Sequence, residues 1–534
     1  MYKRKKLLLC FVILFLMLVP TFHLTAGDED KPKDVSLNPP LETSVGNPDK
    51  PSAALVHEKK PVKNVKRAFW EAIGHFAYAT SSYWIRQDVM KEDWEYHFTW
   101  EDQKKRIFLL DGFRMDSNSY AFNWTHSLAG GIYYNYARTN RFNKSGSLLY
   151  TIACSFLWES LVEFREVISI NDMIATPLGG IGFGEATFQL GRLFRSQRPT
   201  FFNKIARLAS NPIMSINEWL DRKKYKNQFA FQKGQFWNDC RLVAGPRFDT
   251  ISGQSTHNFM QLGLETQVFN LPDYGEQGSS SLYLKDTLYS EYNMSITFSD
   301  KGMHQFDFFA KPVLFGYFSQ KIQGSSASHD RRGYSLFIGA ACGFDVMSLE
   351  PKSELPANST VPDKEDKHCI INLLGPAFDL SIYRDKLKIR FSADAYPDFA
   401  LIHSHVYKKY AQLHEVGTTK STLWEHGYYY ALGLTLSSQL QIEYANLELK
   451  GAVKFHYYDS IEGMDRFQSD ITPGSDFDLK DQRITYRFSL GYHIPKTPLR
   501  LTAGLEKIDR WGKLEDFAQS SSEKRSFMQI QYLF

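Results

Sequence analysis

At 534 residues the chain can hold two or three domains, and its 29 Tyr, 41 Phe and 10 Trp make it aromatic-heavy for a soluble enzyme. A mean hydropathy of -0.37 is too polar for a bundle of membrane helices. The formal charge of +4 equals the four cations Lys3, Arg4, Lys5 and Lys6, so without them the chain is neutral and has no basic surplus to recruit nucleic acid.

Those four cations precede the apolar run Leu7–Val19 and Pro20, the pattern of a secretory signal peptide over residues 1–26 with cleavage near Ala26. A retained anchor is the alternative, although about 20 apolar residues are needed to span a bilayer. Cys10 sits too far forward for a lipoprotein attachment. The other cysteines, Cys154, Cys240, Cys342 and Cys369, have no CxxC spacing and read as isolated thiols, buried or facing lipid. Residues 27–62 are polar and proline-rich and read as a disordered linker.

A helical domain is expected over residues 63–225. "AFWEAIGHFAYATSSYWI" from Ala68 reads as an aromatic-rich helix, and the charged stretch through Arg114 is less readable. "YAFNWTHSLAGGIYYNYARTN" reads as a helix with a small-residue stripe. "SGSLLYTIACSFLWESLVEFREV" reads as a second helix of about 20 residues at 3.6-residue periodicity. On that helix Glu159, Glu163 and Glu166 would share one face. Ser169 with Asp172 three residues later resembles a capping box, Pro177 is placed to open a glycine-rich helix, and a further short helix runs from Ile213 to Lys223.

After about Gln235 the period switches to two, predicting a β-barrel over residues 235–534. In "RITYRFSLGYHI" Ile484, Tyr486, Phe488, Leu490, Tyr492 and Ile494 alternate with polar residues. Leu499, Leu501, Ala503 and Leu505 repeat the pattern, as do Leu387, Ile389, Phe391, Ala393 and Ala395. Strands of this length with an apolar face and aromatic ends fit a transmembrane barrel better than a soluble sandwich. About twelve are expected (ten to fourteen), with tight connections at Arg384-Asp385 and Pro495–Pro498. Long polar loops are expected at 347–366, 397–426, 458–482 and 509–523. The fold class is therefore α+β: an N-terminal helical domain followed by an antiparallel outer-membrane β-barrel. In the last strand Met528, Ile530, Tyr532 and Phe534 resemble the recognition signal of bacterial outer-membrane barrels. That resemblance implies the lipid bilayer and the barrel-assembly machinery as partners. Oligomeric state is left open.

The segments "NWTHSLAGGIYYNYAR" (from Asn123), "SFLWE" (Ser155 to Glu159), "SINDMIATPLGG" (from Ser169) and "NPI" (from Asn211) resemble a bacterial envelope family known as domain of unknown function 3943. The resemblance covers about a fifth of the chain and implies no activity. Within it, His126, Glu159, Asn171, Asp172 and Glu185 form a candidate polar cluster that could act as an acid–base pair or bind a metal if the segments converge. The favoured reading is structural, as hydrogen-bonded ties between helices with no metal or cofactor. Gly130, Gly180 and Gly184 are expected to permit close helix packing. "GGIGFGE" is not a nucleotide loop, since no GxGxxG and no following Lys-Ser/Thr is present. Three functions follow: an outer-membrane barrel with a helical plug or periplasmic cap in a structural or binding role, a lipid- or lipopolysaccharide-modifying enzyme, or a narrow solute channel.

Overall fold

The computed structural model describes residues 62–86, 94–109, 112–115, 120–197, 200–221, 236–251, 256–271, 274–284, 287, 289–300, 302–324, 330–349, 366–414, 422–461 and 477–533. The signal segment, nearly all of the linker and Phe534 lie outside them.

Helices come first. They are α1 (Val65–Ile85), α2 (Trp100–Phe108), α3 (Tyr120–Thr139), α4 (Lys144–Leu157), α5 (Ile170–Ile174), α6 (Gly180–Ser196), α7 (Phe201–Ser210) and α8 (Pro212–Leu220). Two-residue strands β1 (Phe113–Arg114) and β2 (Ile168–Ser169) pair in parallel between them. The segment expected as one helix of about 20 residues ends sooner, in a π-helical turn at Trp158–Val162. Arg106, fully buried, explains the stop: its guanidinium donates to the carbonyls of Glu159, Ser160, Glu163 and Glu166. Those oxygens are thereby taken out of any continuing helix. Glu163 and Glu166 therefore do not share a helix face with Glu159. Pro177 sits in a second π turn, Ala175–Gly179, that joins α5 to α6, and does not open α6.

The barrel strands are β3 (Trp237–Ile251), β4 (His257–Phe269), β5 (Gly278–Leu284), β6 (Tyr289–Ser299), β7 (Gly302–Gln323), β8 (Arg331–Leu349), β9 (Asp366–Asp385), β10 (Leu387–His403), β11 (Tyr428–Tyr444), β12 (Leu447–Ser460), β13 (Leu479–His493), β14 (Leu499–Leu514) and β15 (Phe517–Leu533). The sheet order β7-β6-β4-β3-β15-β14-β13-β12-β11-β10-β9-β8 returns to β7 through the β7–β8 pairing, which closes an antiparallel ring of twelve. Strand β5 is extra, pairing only with residues 316–322 of β7. First and last strands meet with Ile530 opposite Ala244 and Tyr532 opposite Leu242. Closure leaves the ring without an open edge, which is what lets strands cross a bilayer.

Register follows the alternation read from the sequence. Leu490 is 50% and Leu501 47% exposed, while their neighbours Ser489 and Thr502 are each only 8% exposed. Leu490 pairs with Ala503 and Leu449, and Leu501 with Tyr492 and Ile530, so one continuous apolar belt faces outward. Tight turns at Asp385-Lys386, Ala445-Asn446 and Pro495–Pro498 lie at the rim where β3 starts and β15 ends. The strand ends Leu349 and Asp366, His403 and Tyr428, and Ser460 and Leu479 lie at the other rim. The expected loop at 509–523 is instead strand, because β14 and β15 run to a tight turn in which Glu515 takes a positive φ of 50°.

The inward faces fill the lumen. At the near rim Phe269, Leu271, Tyr274, Tyr289, Phe318 and Phe337 form an apolar cluster. Arg500 on β14 pairs with Glu448 on β12 at 2.7 Å beside the same rim, and further ion pairs reach across the interior: Lys311 to Asp394 at 2.7 Å and Arg510 to Asp366 at 2.7 Å. Arg390 on β10 donates to Gln267 on β4 at 2.6 Å. At the far rim the loop carrying α9 (Tyr407–Leu413) and α10 (Thr422–His426) folds inward. Its Val406, Tyr407 and Leu423 pack on Ile370, Ile402 and Tyr458.

Candidate functional site

The helical block is built on the crossing of α3 with the Ala175–Ser196 segment. A Cβ at Gly130 would collide with the Thr176 carbonyl, and one at Gly180 would lie 2.8 Å from the Gly130 Cα, so the two backbones touch there. Tyr134 lies over Gly184, whose added Cβ would sit 2.9 Å from the ring. Asparagines tie the remaining helices to α3. Asn211 donates to Asn135 at 2.7 Å, Asn135 to the Gly184 carbonyl at 3.2 Å, and Asn217 to Thr139 at 3.1 Å.

Four of the five predicted polar residues converge. His126 on α3, Glu159 in the first π turn and Asp172 on α5 bring one ligand-capable atom each to within 4.8 Å of one another. His126 Nε2 lies 3.5 Å from Asp172 Oδ2, and His126 Nδ1 lies 3.5 Å from the Thr176 hydroxyl. Glu159 Oε2 accepts the Ser169 backbone N–H at 3.1 Å. Asn171 donates from its amide to Asp172 at 3.0 Å and accepts the Ser169 hydroxyl at 3.0 Å. The Ser169 hydroxyl also accepts the Asp172 N–H, so the expected cap forms. Glu159, Asn171 and Asp172 are buried, and burial pushes the His126 imidazole below its usual range, opposed in part by Glu163.

Glu185 stands apart, further along the same α3–α6 crossing, beside Tyr134 and Arg138 of α3. It accepts from Arg138 at 2.8 and 2.9 Å, Tyr134 at 2.7 Å, Gln189 at 2.6 Å and Thr287 at 2.7 Å. Burial alone would raise its carboxyl, but the Arg138 guanidinium, Lys144 and the Thr287 hydroxyl together outweigh that and hold it at about 2. Thr287 lies between β5 and β6, so Glu185 binds the helical block to the barrel.

The block meets the barrel on its outer wall. Phe183 packs on Phe308 with ring centroids 5.6 Å apart, and a Cβ at Gly182 would lie 3.4 Å from that of Phe344. Ile181 and Tyr134 cluster with Leu314 and Cys342, while Leu190, Leu193 and Phe194 cluster with Cys240 and Val268. Phe308, Phe344, Cys240 and Val268 share the outward parity of the belt, yet they are buried because α6 covers them. The inward residues Asp307, Lys311 and Asp345 lie on the opposite face. The two larger lumen cavities, about 270 and 210 Å³, are lined by strand residues alone. A helical plug in the lumen is therefore not what these contacts describe: the helix faces are apolar, whereas the lumen wall they would have to meet is charged.

Sequence reasoning did not single out Arg106, Asn135 or Arg138. Arg138 lay four residues after Tyr134 on the predicted first helix, a spacing that could have suggested a shared partner.

A closed twelve-stranded barrel with an apolar outer belt defines a bacterial outer-membrane β-barrel protein, here carrying helices ahead of the barrel. Residues 112–215 match the family described as Domain of unknown function (DUF3943), the segment whose motifs carried the resemblance. No curated protein matches the chain. Among solved structures, the KdgM porin is 9% identical, with 55% of this chain and 99% of that one covered at a TM-score of 0.19. OmpT, an outer membrane protein of Vibrio cholerae, is 7% identical over 56% and 99% at 0.21. The outer membrane channel DcaP of Acinetobacter baumannii is 10% identical over 57% and 99% at 0.22. Scores this low carry no functional information.

Proposed function

We propose that this outer-membrane barrel has a structural and binding role, in which a sealed barrel holds the helical block in the lipid beside it. The carrying observation is that α6 covers lipid-facing wall residues while α1, α7 and α8 expose large apolar side chains on the block's outer surface. Phe201, Ile205 and Leu208 are exposed at helical spacing on α7, and Trp70 on α1 and Trp219 on α8 are exposed as well. An apolar surface of that extent is stable against acyl chains and costly in water. The lumen, bridged by ion pairs and closed by apolar clusters at both rims, favours this reading over a solute channel.

In this reading residues 1–26 direct export and are removed, 27–62 tether the block, and 63–225 and 235–534 fold as helical block and barrel. The assembly machinery reads Met528, Ile530 and Tyr532 on β15 together with Phe534. A fluorophore at position 205 of the full chain in vesicles tests the reading. It is expected to emit as from an apolar medium and to be quenched by lipids brominated on their chains. Water-like emission without quenching would contradict a lipid-embedded block, and porin-like conductance in planar bilayers would contradict a sealed barrel. A second reading, lipid modification, draws on the convergence of His126, Glu159 and Asp172. It requires Glu159→Gln to change the envelope lipid profile, whereas the structural role leaves that profile unchanged.

A further inference from the structure

We infer that His126, Glu159 and Asp172 form a binding site for one divalent transition-metal ion of the zinc–manganese class. Three observations converge on it. The first is donor spacing. Ligands about 2.1 Å from a tetrahedral zinc lie about 3.4 Å from one another. His126 Nε2 and Asp172 Oδ2 are 3.5 Å apart, and all three donor atoms fall within 4.8 Å. That separation is long for a hydrogen bond between the two groups and right for two ligands of one cation.

The second is the surrounding bonding. The Ser169 backbone N–H holds Glu159, the Asn171 amide holds Asp172, and the Thr176 hydroxyl faces the other ring nitrogen of His126. Metal ligands are oriented by outer partners of this kind. The third is the backbone. Glu159 sits within one π-helical turn and Thr176 within another, and such turns gather at functional sites. One imidazole with two carboxylates suits zinc, manganese or iron(II) better than calcium or copper(I). The His126 side chain keeps 16% of its exposure, which leaves a path for the ion, while the Asp172 side chain keeps 2%. Three protein ligands would join α3, the Trp158–Val162 turn and α5 at one point and leave a further coordination position for water or a small oxygen ligand.

The test uses the full-length protein, folded in detergent, stripped with chelator and dialysed against zinc or manganese, with bound metal measured by mass spectrometry. Wild type is expected to retain about one ion per chain. His126→Ala and Asp172→Asn should each lose it, and Asn171→Ala should bind it about 10–100-fold more weakly. Glu163→Gln, outside the cluster, should retain it. His368→Ala controls for the lumen pair of His368 and His456, whose rings lie 6.2 Å apart. Heat-modifiable migration certifies the barrel in every variant. A folded wild type that retains neither metal would overturn the proposal, as would metal lost only in His368→Ala.

Discussion

Replacing Glu185 with Gln removes the charge at the junction of helices and barrel, and its cost can be worked from two directions. The carboxylate is buried and accepts from Arg138, Tyr134, Gln189 and Thr287. Its pKa falls from 4.5 to about 2, which at about 1.4 kcal/mol per tenfold corresponds to about 3 kcal/mol favouring the charged form in place. Independently, breaking a buried ion pair by removing one partner costs about 3–5 kcal/mol, because Arg138 keeps its charge without a counterion. Glu185→Gln should therefore loosen the block by about 3 kcal/mol while the barrel stays closed. Glu185→Leu combined with Arg138→Met should cost less than Glu185→Gln alone. Because folding depresses this pKa, the contribution is complete above about pH 4.5 and is lost as pH falls towards 2. Denaturant release of the block, followed by proteolysis at pH 7 and by tryptophan fluorescence across the acid range, reads all three. A Glu185→Gln protein with the wild-type midpoint, or with the wild-type acid dependence, would refute the reasoning.

On the barrel wall, Leu490→Arg should cost about 2–4 kcal/mol near the bilayer midplane and Ser489→Arg far less, as read from folding titrations in lipid; equal costs would mean the register is wrong. Gly130→Val places branched carbon against the Thr176 carbonyl and should abolish a protease-resistant block without altering barrel migration. Wild-type resistance in that variant would show that the α3–α6 crossing is looser than described.

The barrel was legible because its register is enforced by two different media. A one-residue slip would put Arg487 and Ser489 into lipid and Phe488 and Leu490 into a charged lumen, so the alternation had to be strict in β13. It was less legible in β3–β8, where α6 replaces lipid on part of the wall. There Phe344 beside Asp345 keeps the alternation, but the covering helix cannot be inferred from either residue. The early end of α4 was hidden for a similar reason. Its cause is Arg106, some 50 residues earlier in the chain, and no local pattern at Glu163 or Glu166 announces it. The polar cluster was legible as residue types, since His126, Glu159 and Asp172 do meet. Glu185 is separate because Ile170–Ser196 is one consecutive helical run, on which it lies about 20 Å beyond Asp172 at about 1.5 Å per residue; Pro177 in the sequence predicts a break in that run.

The outer-wall position of the helical block is tested most directly by a photo-crosslinking phenylalanine analogue at position 183 in the full chain folded in the outer membrane. Crosslinked peptides should come from β7 and β8 around Phe308 and Phe344. Crosslinks to lumen residues of the opposite strands, such as Lys454 or Arg487, would place α6 inside the barrel and contradict the account.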